Sequence, residues 1–148
     1  MNRIDAYIQG GSLVERRKDI EQKLRANGVK PTRQRIEIGG LILTEPQHVS
    51  AENILFLLRK KGSKVSKATV YNTLKLFTDH GLMREISVDA TRQFYDSTTH
   101  HHHHFYNVDS GELTDIAVNN LKFSQLPELP VGTEAENVEV ILRVRNKN

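Results

Sequence analysis

The chain has 148 residues, 37% hydrophobic and 26% charged, with no cysteine, which suits one ordinary domain or two small ones and excludes disulfides and thiolate-bound structural zinc. No apolar run reaches the roughly 20 residues that span a bilayer, and residues 1–10 lack the apolar core of a secretory leader, so a cytoplasmic protein with no membrane partner is expected. The net charge of +3 is unevenly spread: residues 1–89 carry 16 Lys and Arg against 10 Asp and Glu, whereas residues 90–148 carry 5 against 8, a basic half suited to a polyanion and an acidic half suited to a cation.

Helices come first. Ser12 and Glu15 form a capping box before a stripe of Leu13, Ile20 and Leu24, and Gly28 ends that helix. A second helix begins near Thr32, after Pro31, and carries Ile36, Ile38, Leu41 and Leu43. Gly39 and Gly40 weaken it by about 1 kcal/mol each relative to alanine. His48 falls in the loop before a third helix, which Ser50 caps, Ile54, Leu55, Leu57 and Leu58 anchor, and Gly62 closes. Ser66 caps a fourth helix running from Lys67 to about His80, with Val70, Leu74 and Phe77 as its apolar stripe.

After Gly81 the period becomes two. Residues 82–88 and 91–95 read as strands around Asp89-Ala90. Helices followed by such a hairpin make a winged helix-turn-helix, with the fourth helix in the recognition position. Strands over His104–Val108 and Glu112–Ile116 then flank Asp109-Ser110-Gly111. Leu121 and Phe123 suggest a short helix before the Pro127/Pro130 loop, and Val138, Val140, Leu142 and Val144 alternate as the buried face of a last strand. The expected class is α+β, with a boundary between Val88 and Phe94 that gives units 1–89 and 90–148.

Two constellations carry chemistry. On the fourth helix Lys67, Tyr71, Lys75 and neighbouring Asn72 share a solvent face opposite the apolar stripe. Lysine and asparagine reach phosphates and base edges, and a tyrosine ring packs on a thymine methyl. The second is the run His100–His104. On a strand, His100, His102 and His104 face one way and His101 and His103 the other, so one face offers several imidazoles to an ion such as zinc, iron, nickel or copper. Asp96 just before the run and Asp115 on the next strand add carboxylates. A metal or haem carrier without DNA binding would explain the histidines but leave the basic helix and hairpin without a task. No separate acid or base accompanies the cluster, so an enzyme is not expected.

Four stretches, Leu24–Arg35 (LRANGVKPTRQR), His48–Glu52 (HVSAE), Ala68–Asn72 (ATVYN) and Gly81-Leu82, continued through Phe94–Ile116, together resemble the ferric uptake regulator (Fur) superfamily over roughly residues 12–146. The resemblance implies a homodimer with an N-terminal winged helix and a C-terminal α/β dimerisation domain, bound to a double-stranded operator. It implies a regulatory metal site of His48, Asp96, His102, His104 and Asp115 holding Fe2+, Mn2+ or Zn2+. The spacing of the last four, 0, +6, +8 and +19, is similar to that of the peroxide-sensing branch. DNA contacts would come from Lys67, Thr69, Tyr71, Asn72 and Lys75, with Lys30 and Arg35 near the backbone or minor groove. Asn107 and Ser110 stand where the family's structural zinc motif has its first cysteine pair, and the family's third metal site lacks counterparts after Ile116. The run His102–Phe105 and the tail from Leu126 through Arg145 resemble the iron response regulator branch, which implies haem on His102, His103 and His104. The expected function is a transcription regulator of iron and haem homeostasis, with a peroxide-sensing Fe/Mn repressor as the alternative. One ligand joining His48 to the histidine-rich half would set the angle between the winged helices.

Overall fold

The computed structural model describes residues 13–148, so Ser12 of the expected capping box lies outside the described residues. The elements are α1 (Leu13–Ala26), α2 (Arg33–Ile42), β1 (His48–Val49), α3 (Ala51–Lys60), α4 (Lys67–Asp79), β2 (Arg84–Ser87), β3 (Gln93–Asp96), β4 (His103–Asn107), β5 (Leu113–Ile116) and β6 (Ile141–Val144). They form two three-stranded sheets, ordered β1-β3-β2 and β5-β4-β6. The chain divides into a first unit ending at Thr99 and a second from His100.

This division falls a few residues beyond the expected boundary between Val88 and Phe94, and the reason is the hydrogen-bond ladder. β3 pairs antiparallel with β2 from Ser87↔Gln93 to Arg84↔Asp96, so both arms of the wing belong to the helical unit. β1 adds a third strand through His48↔Asp96 and Val49↔Tyr95. Two residues are too few to show a period of two, which is why His48 reads as loop in the sequence.

Three of the helix starts in the first unit have a visible chemical cause. The side chains of Thr32, Ser50 and Ser66 accept the backbone N–H groups of Arg35, Asn53 and Thr69, satisfying donors that would otherwise be orphaned. α4 ends at Gly81, whose φ of +73° lets Leu82 N–H return to Phe77 O at 2.9 Å and redirects the chain into the wing. The four helices close over a core in which Leu24, Ile38, Ile54, Leu58, Leu74 and Phe77 are fully buried.

Gly39, which propensity alone counts against α2, permits the contact between α1 and α2. A Cβ there would stand 3.0 Å from Ile20 Cγ2 and 3.7 Å from Phe77 Cζ. Gly39→Val is therefore expected to destabilise the unit by about 1–3 kcal/mol through overpacking, read as a lower melting temperature by circular dichroism.

The second unit places β4 between antiparallel β5 and parallel β6. Among its described residues there is no α-helix. The helix expected around Leu121 and Phe123 is a single 3-10 turn, Val118–Asn120, which ends before either residue. The whole is α+β, with all α-helices in the first unit. Tyr106 is buried, with the Arg143 guanidinium 5.7 Å from its ring centroid. At the β4–β5 turn Asn107 Oδ1 accepts the N–H groups of Asp109 and Ser110, and its Nδ2 donates to Asn146 Oδ1 at 2.8 Å. A hydrogen-bonded clasp thus closes the β4–β5 turn and ties it to the chain beyond β6. The last strand departs from expectation. It begins only at Ile141, and Leu142 and Val144 are exposed at 44% and 38%. With Phe105, the register partner of Leu142, they leave an apolar face of the sheet open.

Candidate metal centre and nucleic-acid surface

The first unit contributes two donors. Register pairing puts His48 opposite Asp96, and His48 Nε2 lies 3.1 Å from Asp96 Oδ2. The backbone around them is tied down on both strands. Gln47 N–H donates to Ser97 Oγ, Ser97 Oγ donates to Glu45 O at 2.9 Å, and the Gln47 amide donates to Leu41 O and Ile42 O at the end of α2. Asp96 is 1% exposed, and its other oxygen, Oδ1, accepts Thr98 N–H at 2.9 Å. One carboxylate oxygen is thereby anchored while the other faces the imidazole, the usual way a supporting contact orients a metal ligand.

The second unit contributes three. His102 Nδ1 lies 2.7 Å from the His100 carbonyl. A carbonyl only accepts, so Nδ1 carries the proton and Nε2 keeps its lone pair in the neutral ring. That Nε2 lies 3.2 Å from Asp115 Oδ1, and His104 Nε2 lies 3.5 Å from the same oxygen. The donor atoms of the three residues lie within 4.8 Å of one another. Two imidazole nitrogens and a carboxylate oxygen aimed at one point call for a positive charge between them, a proton or a metal ion. The set is borderline in softness and suits Fe2+, Mn2+ or Zn2+.

His103 sits apart from this group. Its register partner is Ile116, on the opposite face of β4, and its Nδ1 accepts Val140 N–H at 3.0 Å. The ring packs edge-on against Phe123 at 6.0 Å, and burial pushes its pKa below the ordinary histidine value. His103 thus docks the chain entering β6, and the expected haem set of His102, His103 and His104 is divided between two faces of the sheet.

The nucleic-acid candidates also divide. Arg35, Thr69 and Asn72 line one groove of about 500 Å³ between the start of α2 and the flank of α4, together with Arg33 and Gln34, which the sequence reading passed over. Arg35 Nη1 donates to the Lys30 carbonyl at 2.8 Å, fixing the guanidinium at the groove's rim. Lys67 and Tyr71 line a different groove, shared with Glu52 and Phe56 of α3. Lys75 pairs with Asp79 at 2.7 Å on open surface, a contact of little energetic weight. Glu52 was not anticipated as a partner of Tyr71, because the two lie 19 residues apart and only the packing of α3 on α4 joins them.

Comparison with known proteins agrees with this architecture. The pattern of the ferric uptake regulator family matches residues 26–142. Peroxide-responsive repressor PerR of Staphylococcus epidermidis is 33% identical over 92 residues, 62% of this chain, and the match spans about three fifths (61%) of that relative's length. Among solved structures, the ferric uptake regulator of Pseudomonas aeruginosa with manganese superposes with a TM-score of 0.64 at 26% identity, covering 87% of this chain and 98% of that one. The Vibrio cholerae ferric uptake regulator, whose structure reveals rearrangement of its DNA-binding domains, gives 0.64 at 25% identity, covering 85% and 98%. The match over residues 26–142 and these likenesses show that the chain belongs to the ferric uptake regulator family.

Proposed function

We propose that the protein is a dimeric, metal-responsive, DNA-binding transcription regulator acting in the cytoplasm, in which one divalent ion takes His48 and Asp96 from the first unit and His102, His104 and Asp115 from the second. The observation that carries the reading is the convergence of His102 and His104 on a single Asp115 oxygen, matched by the anchored His48–Asp96 pair. A bound ion would supply a fixed positive charge that holds the five donors together. The residues then do the rest: the first unit's groove grips the duplex, and the ion's preference for one arrangement of the two units shifts their balance toward it. The open face of Phe105, Leu142 and Val144 is the surface a second copy covers. Two copies present two recognition helices to two half-sites.

The convergence of two imidazoles and a carboxylate oxygen on one point favours a bare ion, which takes several mixed nitrogen and oxygen donors, over haem, whose iron takes at most two axial ligands. A peroxide response is a second reading, favoured by the relative named as a peroxide-responsive repressor and by the presence of aspartate at both acidic ligand positions. Iron(II) reacts with peroxide, so iron-loaded protein should lose DNA binding on peroxide treatment faster than manganese-loaded protein.

The test is a fluorescence titration of duplex DNA enriched by the protein from a random pool, with and without Mn2+. Affinity should rise with the ion, and an unchanged affinity would remove the sensing role. Arg35→Ala should weaken binding to all sequences alike and reduce the slope of log affinity on log salt by about 1. Asn72→Ala should relax base preference instead.

A further inference from the structure

Glu52 stands in the first turn of α3, four residues beyond His48. Its Oε1 accepts the Tyr71 hydroxyl at 2.6 Å, a short charge-assisted bond. Lys67 Nζ lies 5.8 Å from the centroid of the same ring. The phenol is therefore held at its tip by a carboxylate and flanked on its face by an ammonium. Glu52 also borders a small polar pocket together with Tyr71 and with Thr91, Gln93 and Tyr95 of the wing.

A phenol has one hydroxyl hydrogen, and here it is donated to the carboxylate. The hydroxyl cannot donate to a base acceptor or a phosphate while that bond stands. What the side chain still offers a base is the partly exposed apolar surface of its ring, which complements the thymine methyl in the major groove. Ordering the ring in advance also lowers the entropy lost on binding. A bare carboxylate would repel the phosphate backbone. This one stays ionised, but its charge is offset by the hydroxyl that Tyr71 donates to it and by the nearby Lys67 ammonium, the contacts that also hold its pKa below the ordinary value.

We infer that Glu52 is a positioning residue that fixes Tyr71 as an apolar reader of a thymine methyl and withholds its hydroxyl from the DNA. This rests on α4 being the recognition helix of the proposed regulator. The experiment uses the full chain with Mn2+ and the duplex enriched by the wild-type protein, with each thymine replaced in turn by deoxyuridine, which lacks only the methyl. In the wild type, at least one position should lose about fourfold in affinity, the scale of one buried methyl group. In Glu52→Ala the same replacement should matter less than twofold. Glu52→Gln, whose amide oxygen still accepts the hydroxyl, should restore most of the discrimination. Tyr71→Phe should reproduce Glu52→Ala, with nothing added in the double variant. Thermal melting checks that each variant is folded, and the glutamine variant keeps the comparison open if the alanine variant is not.

Full methyl sensitivity in Glu52→Ala, or additive effects of the two substitutions, would overturn the inference. A wild type indifferent to every thymine methyl would overturn it as well, together with base reading by Tyr71. Mn2+-stimulated binding would still stand in that case, so failure of the inference is separable from failure of the regulatory reading.

Discussion

His104→Ala is expected to abolish manganese-dependent DNA binding and to lower affinity for the ion by more than about a hundredfold. Substitution of outer-shell partners alone reaches ten- to a hundredfold, and His104 is no outer partner: its ring is fully buried on β4 with Nε2 3.5 Å from the Asp115 oxygen that His102 also faces. Removing it leaves Asp115 and His102 with one fewer donor and the sheet with a cavity. Isothermal titration with Mn2+ gives the affinity, and DNA titration with and without the ion gives the response. His103→Ala is the control. That ring serves a backbone N–H on the other face, so its removal should loosen the entry into β6 while leaving the metal affinity within a few-fold of the wild type. Equal losses in the two variants would contradict the assignment of opposite faces to opposite tasks.

Phe77→Ala is expected to cost the first unit about 3–5 kcal/mol. Phe77 is fully buried at the centre of the helical core, near the α1–α2 contact that Gly39 permits and one turn beyond Leu74. Against a total stability of about 5–15 kcal/mol for a typical domain, the loss leaves the DNA-binding unit marginal at best. DNA affinity should fall with or without metal, and helical ellipticity should melt well below the wild type. Ligand variants differ in kind, because they keep the helices and lose only the response. A Phe77→Ala protein that melts within a degree or two of the wild type would show that the core is held elsewhere.

What was legible in the sequence followed local chemistry. Ser50 and Ser66 announced two helix starts because a hydroxyl before an apolar stripe has one favoured use there, and both side chains make that bond. The pairing of Asp96 with His48 was available only through resemblance, since a two-residue strand carries no periodic signal and its partner lies 48 residues away. Gly39 counts as a weakness by propensity, which sees the helix alone, whereas the close approach to Ile20 that it permits belongs to packing. Alternation over Val138–Val144 indicated a strand, which forms only over Ile141–Val144, and did not indicate its burial. Which face of a strand is covered depends on what lies over it, and over Leu142 and Val144 nothing in this unit does. The divided nucleic-acid candidates make the same point: helical spacing grouped Tyr71 with Asn72, but the neighbouring helices α2 and α3 place them in separate grooves.

The central claim is that donors from the two units hold one and the same ion. His48→Ala tests it most directly, because His48 belongs to the first unit, whereas His102, His104 and Asp115 belong to the second. Mn2+ affinity by isothermal titration and Mn2+-stimulated DNA binding should both fall at least tenfold, while the metal-free protein keeps its basal DNA affinity. Wild-type metal affinity and wild-type stimulation in His48→Ala would contradict it.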